Sequence, residues 1–569
     1  MIEQISLNSF WKFRLDRENI GKTKEWFRNT PENVVDMYVP SCWNEADDEW
    51  LHYEGVAWYF KEFHFKKNDE IKRNVLFFNG VNYMCEVWLN GQFAGSHTGG
   101  FTPFEIDVTN LLKANQENTL AVRVDSTISQ FTVPPIGVDW FNYGGITREV
   151  YLNGTGESWI DDVFVKTKIN GEIDIKLQLG GYKKQDGDQV HIEILDRECA
   201  KTMVESYEII LNENPTIGLH IENPNLWSPD SPYLYNFEIS LLRKGKIIDR
   251  WTHKIGVREF SKKDRRIYLN NKPIMLKGYS KHEEYHQSAR TFSYDLVRKD
   301  YEMCKKGNAN FLRLCHYPHD LKEYEMASEM GFIVMAEVPN VDFKKAHFEN
   351  KDVLQNSINQ AKEALKYYKN ETCIMFWSLF IECNTNEEAA VDFVPKYIKL
   401  FKDTDPTRMT IHASVIPMQD KTYDYFDIVG INYWNGWYFG QTIEEGKVFL
   451  DDIAKNYPDK PVIITSGGWE GIYGYHSYKK NEFWSEEQQA QYLEDMTNLY
   501  LSKDYIVGEI IWTFNDFRTS PWYVKEKGSN RFMLRPMELN HKGVVDSFRR
   551  PKLAYYKMQE VFKKWNDKK

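Results

Sequence analysis

No uninterrupted apolar run in the 569 residues approaches the ~18 needed to cross a bilayer. The opening stretch, MIEQISLNSFWKF, has no basic region leading into an apolar one. A cytoplasmic protein with no membrane partner is expected. Cysteine is scarce and unpatterned: Cys42, Cys85, Cys199, Cys304, Cys315, Cys373 and Cys383 are odd in number, scattered and never in a CxxC pair. That argues against a disulfide framework or a structural zinc site and fits a reducing compartment. Long blocks of one charge sign are also missing. The net charge of −11 is spread along the chain, which suits solubility and makes nucleic acid an unexpected partner. Aromatic residues, in contrast, are plentiful at 15%. Flat rings of this kind stack on flat ligands such as sugars, and aromatic β-sandwich cores give the same count.

The chain is too long for one hydrophobic core and should hold about three or four domains. Residues 1–155 alternate short strand patterns with turns. Asn90-Gly91, between MCEVWL and QFAGSH, is a strong hairpin signal, so this part is expected to be an all-β sandwich. Residues 156–258 continue with strands and frequent polar turns, as an immunoglobulin-like sandwich does. From 259 to 569 the pattern changes, and apolar runs alternate with helix-length amphipathic segments. Eight strand candidates can be counted: IMLKGYS, ANFLRL, FIVMAEV, IMFWSLF, MTIHAS, DIVGINY, PVIIT and IVGEIIWTF. Eight βα units in about 300 residues predict a (β/α)8 TIM barrel with its site at the carboxyl ends of the strands. The last helix is expected to start at Pro551.

The strand ends hold the chemistry. Ile374–Cys383 is an almost wholly apolar run that ends abruptly in one carboxylate, Glu382, and a charge at the tip of a buried parallel strand marks a ligand site. The other strand ends supply His282 and Glu283, then Arg313, His316 and Tyr317, then Glu337. They continue with Asn432 and Trp434, Ser466 and Trp469, and finally Trp512, Asn515 and Asp516. Together these describe a polar, aromatic-walled pocket suited to carbohydrate. Nothing in it calls for a metal or an organic cofactor.

NFLRLCHYPHD (310–320) and KNETCIMFWSLFIE (369–382) resemble the two signature stretches of glycoside hydrolase family 2. The family's order of jelly roll, immunoglobulin-like sandwich and TIM barrel covers essentially the whole chain. The resemblance implies Glu382 as acid/base. Asn540, His541, Lys542 and Gly543 resemble the N-x-K-G element of the family's β-glucuronidases, in which the Asn and Lys hold the sugar's C6 carboxylate. NGWYFG (435–440), which contains Tyr438, and DWFNYGGI (139–146) are similar to stretches of the same enzymes, and place Asp139 at the sugar-binding end. An ammonium assisted by an amide binds a uronate by charge-assisted hydrogen bonds and rejects a neutral hydroxymethyl group. The implied partner is a small-molecule or oligosaccharide glucuronide, and the implied assembly a homodimer or homotetramer.

The pattern breaks where the second carboxylate belongs. Retaining glycosidases use two carboxyl groups about 5–5.5 Å apart, and the family's nucleophile stands in an I-T-E-aromatic-G stretch. This chain reads Ile464, Thr465, Ser466, Gly467, Gly468. Ile381 replaces the Asn that precedes the acid/base, Trp434 replaces a Tyr, and Leu314 and Ser280 replace small residues. Weakened hydrolysis is expected, and three readings stay open. The chain is an altered enzyme of the glycosynthase type, in which a small residue at the nucleophile position accommodates an α-glycosyl fluoride. Alternatively it is an inactive sugar-binding relative, or Glu470 supplies the missing carboxylate. A β-galactosidase-like hydrolase is the alternative within the family.

Overall fold

The computed structural model describes residues 3–196, 203–210, 215–286, 288–438, 442–479, 482–527 and 534–566. Cys199, and Phe439 and Gly440 of the NGWYFG stretch, lie outside them. The fold is two β-sandwiches followed by a closed barrel. The first sandwich packs a four-stranded sheet (Glu3–Ser6, Val150–Thr155, Arg73–Phe78, Phe104–Asp107) against a six-stranded one that runs from Val35–Val39 to Gln92–Thr98. Alternating residues such as Trp11, Phe13, Tyr59, Leu76, Val87 and Val122 point inward as one core. The hairpin forms at Asn90-Gly91, with φ of 54° and 75°, the two positive values that a type I′ turn demands. The second sandwich sets a three-stranded sheet against a four-stranded one around Val163, Ile175, Ile192, Phe237 and Ile239.

All eight strand candidates form the barrel: Leu276–Lys281, Phe311–Leu314, Ile333–Glu337, Ile374–Ile381, Met409–Ser414, Ile428–Asn432, Val462–Ser466 and Ile506–Ile511. They pair in parallel, and the first closes on the eighth through Leu276 opposite Gly508. Every residue of Ile374–Ile381 is buried, because helices cover the outside of a sheet whose inner face is packed side chain. The last helix begins at Leu553, not at Pro551. Pro551 bridges back to Val545, and the Glu486 carboxylate accepts the Leu553 amide at 2.7 Å, so the acid acts as the helix cap. No helix among the described residues is long and apolar enough to cross a membrane.

The first sandwich is clamped to the rim of the barrel. Arg148, 1% exposed, donates to Glu283 Oε2 and to the Pro318 carbonyl, both at 2.7 Å. Glu283, a strand-end candidate, is thus part of this junction and not of the pocket. Phe141 N donates to Arg518 O and Ser520 N to Asp139 O, each at 3.0 Å. These bonds fix the segment that carries Asp139 and Trp140 over the barrel mouth.

Candidate active site

Glu382 is the first residue beyond the fourth barrel strand, and its backbone is left-handed at φ 56°. Such a conformation costs a non-glycine residue about 1–3 kcal/mol and persists where neighbours over-determine it. Here the Glu382 amide donates to Ala413 O at 2.8 Å, and Asn432 Nδ2 donates to its Oε1 at 2.8 Å. Trp434 Nε1 reaches the same oxygen at 3.5 Å. The Thr465 hydroxyl donates to Asn432 Oδ1 at 2.7 Å, which turns the amide's NH2 toward Glu382. Burial raises the Glu382 carboxyl above the ordinary glutamate value, and the Asn432 hydrogen bond offsets only part of that.

Beside it lies a buried ionic network. Arg313 pairs with Glu337 Oε1 at 3.0 Å and donates to Thr465 O at 2.8 Å. His316 Nδ1 meets Glu337 Oε2 at 2.7 Å, and Ser378 donates to Oε1 at 2.7 Å. Burial pushes the Glu337 carboxyl up, but Arg313 and His316 outweigh it and hold the acid ionised. Burial also keeps His316 and His282 below the ordinary imidazole value. Trp140 packs on both rings, at 5.3 and 5.2 Å, and Trp512 stacks on His316 at 4.9 Å.

A second group forms around the N-x-K-G element. Asn540 Nδ2 donates to Asp139 Oδ2 at 2.7 Å, and Asn540 Oδ1 accepts the Lys542 amide at 3.1 Å. Lys542 Nζ pairs with Glu470 Oε1 at 2.7 Å and donates to the Tyr438 hydroxyl at 3.2 Å. Arg535 spans Asp139 at 3.0 Å and Glu470 at 2.9 Å, with its guanidinium 5.1 Å from the centre of the Tyr523 ring. Two cations and two carboxylates therefore balance. Burial works against ionised Glu470, yet Lys542 and Arg535 pull its pKa below the usual carboxylate value.

Ser466 ends the seventh strand, in register with Asn432. Its hydroxyl is buried and makes no hydrogen bond. A Cβ on Gly467 would come 2.8 Å from Tyr433 O, and one on Gly468 2.1 Å from Trp512 O. The chain runs too close to its neighbours here for the aromatic residue that the family places after the nucleophile. Ile381 is buried in one apolar cluster with Cys315, Trp434 and Trp512.

The structure thus joins Glu382, Asn432, Trp434, Arg313 and His316, with His282 and Trp512 packed beside them, and joins Asp139, Asn540, Lys542 and Tyr438 as a second group. It assigns other strand-end candidates to packing. Asp516 pairs with Lys552 at 2.7 Å, and Trp469 packs on Trp437 at 5.0 Å. Sequence reasoning missed Arg535 and Tyr523, which lie in the long segment after the eighth strand. A basic residue five positions before Asn540 was the available signal for Arg535. It also missed Trp140, whose only cue was its place next to Asp139.

Carboxylates, imidazoles and indoles at the carboxyl end of a parallel barrel, with a β-sandwich folded over the rim, are the equipment of a glycoside hydrolase. Family models agree along the chain: the sugar binding domain of glycosyl hydrolases family 2 matches residues 4–155, the family 2 domain 159–258, and the family 2 TIM barrel domain 260–566. The chain belongs to glycosyl hydrolases family 2. It is 27% identical to a β-glucuronidase of Paenibacillus borealis, with 96% of this chain and 95% of the relative covered. It is also 27% identical to the human β-glucuronidase, over 98% and 90%. A solved β-glucuronidase of Ruminococcus gnavus, in complex with a C6-substituted uronic isofagomine, superposes with a TM-score of 0.88 at 28% identity, covering 98% of this chain and 97% of that one.

Proposed function

We propose that this chain is a β-D-glucuronide-processing member of the family whose retaining hydrolysis is weakened by Ser466, and which transfers glucuronyl groups from an activated α-donor. The observation that carries the glycone assignment is the Asn540–Lys542 element gathered with Asp139, Tyr438 and Arg535. An ammonium has three N–H groups, and Glu470 and Tyr438 engage two of them. A C6 carboxylate would draw on the ammonium of Lys542 and the guanidinium of Arg535, in competition with Glu470 and Asp139. The names of the relatives point the same way. In this reading Glu382 is the acid/base, and Asp139 and Asn540 face the far end of the sugar. Arg313, His316, His282, Asn432 and Trp512 shape the pocket around the reacting carbon, with Ile381 and Trp434 as apolar wall. Tyr438 orients Lys542.

Glu470 is a poor substitute for the nucleophile. It is held by two cations, and a misplacement of about 1 Å already costs on the order of 100-fold in rate. The apolar wall formed by Ile381 and Trp434 favours one second reading, a glucuronide-binding protein without turnover. The deciding assay gives the chain α-D-glucuronyl fluoride or α-D-galactosyl fluoride with an acceptor alcohol. Glycoside formed from the glucuronyl donor, at least about 100-fold faster than from the galactosyl donor, is expected. Product from neither donor leaves the binding protein, and equal rates leave a β-galactosidase-like enzyme.

In such transfer Glu382 acts as base and must be ionised, so the rate climbs with pH as its raised carboxyl loses its proton. Asn432→Ala removes the bond that favours the carboxylate, and the climb moves to higher pH. A pH–rate profile of the two proteins checks this, and a shift to lower pH contradicts it.

A further inference from the structure

We propose that His282, Cys315 and His316 bind one divalent cation of the zinc class at the floor of the pocket, whichever sugar the pocket takes. One ligating atom from each side chain lies within 4.8 Å of the other two, and all three residues are buried. Zinc bonds of about 2.0–2.3 Å in a tetrahedron bring ligand atoms to roughly 3.3–3.8 Å of one another. Closing the site therefore takes side-chain shifts on the order of 1 Å.

The hydrogen bonds of the two imidazoles already follow the pattern of metal ligands. Glu337 Oε2 engages His316 Nδ1 at 2.7 Å, and the Tyr317 hydroxyl lies 3.2 Å from His282 Nδ1. The Glu337 carboxylate accepts the His316 Nδ1 proton and so leaves that Nε2 with its lone pair, with an Arg313 nitrogen also 3.3 Å from Nδ1. The His282 tautomer that donates from Nδ1 to the Tyr317 hydroxyl frees its Nε2 in the same way. His282 Nε2 is the second, independent observation: it is buried and has no hydrogen-bond partner. A water molecule would satisfy that nitrogen but would make no use of the thiol beside it. A borderline-soft cation uses both.

His316 keeps 7% exposure, against 1% for His282 and 0% for Cys315. A tetrahedral cation held by these three side chains keeps one coordination position for water or another small ligand. On binding, the Cys315 Sγ–H bond breaks, an Sγ–metal bond forms, and the proton leaves to solvent. No oxidant or reductant is involved. Cys315 shares an apolar cluster with Ile381, Trp434 and Trp512, and Cys315→Ser nearly keeps its volume there, so the variant is read by metal binding and folding and not by turnover.

The test is a Co2+ titration of the full chain carrying Cys199→Ser, which silences a thiol outside the described residues. One equivalent should give tetrahedral absorption with a thiolate-to-cobalt charge-transfer band, which Zn2+ then removes. Cys315→Ser in the same background, checked for folding by circular dichroism, should lose the charge-transfer band and bind Zn2+ at least about 10-fold more weakly. Cys315→Ala serves as a second variant. No charge-transfer band in the parent overturns the proposal, and so does a band or a Zn2+ affinity that Cys315→Ser leaves unchanged. If neither variant folds, the parent titration decides. The readout is metal binding and not turnover, so failure of the glucuronide reading leaves it intact.

Discussion

Ser466→Glu should raise hydrolysis of p-nitrophenyl β-D-glucuronide by at least about 1,000-fold, equivalent to ~4 kcal/mol of transition-state stabilisation. The seventh strand ends at Ser466, opposite the Asn432 that holds Glu382. In the proposed roles a carboxylate there is the second carboxyl group of a retaining pair, with Glu382 as the first, and it restores the covalent route. Arg313, bonded to the carbonyl of the preceding Thr465, offers a nearby cation for the new charge. A second carboxylate also raises the Glu382 carboxyl further, which favours its role as proton donor to the leaving group. The same substitution should abolish accumulation of glycoside from α-D-glucuronyl fluoride, because the product becomes a substrate. Both rates are measured on the paired proteins. Strong hydrolysis by the unaltered chain, with no gain on substitution, would sink the placement of the nucleophile.

The barrel was legible because each of its strands is a short apolar run between helix-length amphipathic segments, a periodicity that survives without tertiary information. Strand ends then located the rim, and so Glu382, Asn432 and Arg313 without reference to any fold coordinates. What remained hidden was the charge pairing. Glu470 reads in sequence as a spare acid near the missing nucleophile, yet its partners Arg535 and Lys542 lie 65 and 72 residues away. Glu283 reads as a rim acid, but a sandwich arginine 135 residues earlier claims it. Pairings of this kind depend on how loops return over the barrel, and no local pattern encodes that. Gly467 is similar: its lack of a side chain reads as a departure from the family, and only the approach of Tyr433 O gives it a physical reason.

Lys542→Ala should lower both stability and glycone selectivity, and the two losses can be separated. Lys542 and Glu470 are fully buried and 2.7 Å apart, so deleting the ammonium leaves a carboxylate with Arg535 as its remaining cation. Breaking a buried pair costs about 3–5 kcal/mol, and the surviving Arg535 contact places this case at the lower end. Urea denaturation should show that loss, and Lys542→Ala/Glu470→Gln should recover much of it because no unpaired charge remains. Selectivity should not recover. The ratio of kcat/KM for α-D-glucuronyl over α-D-galactosyl fluoride should fall by about 100-fold in both proteins, or ~2.7 kcal/mol, since both lack the donor for the C6 carboxylate. A ratio that stays high in Lys542→Ala means that Lys542 supports the pocket without touching the sugar. The uronate reading would then have to rest on Arg535, which a matched Arg535→Gln measurement would settle by the same ratio.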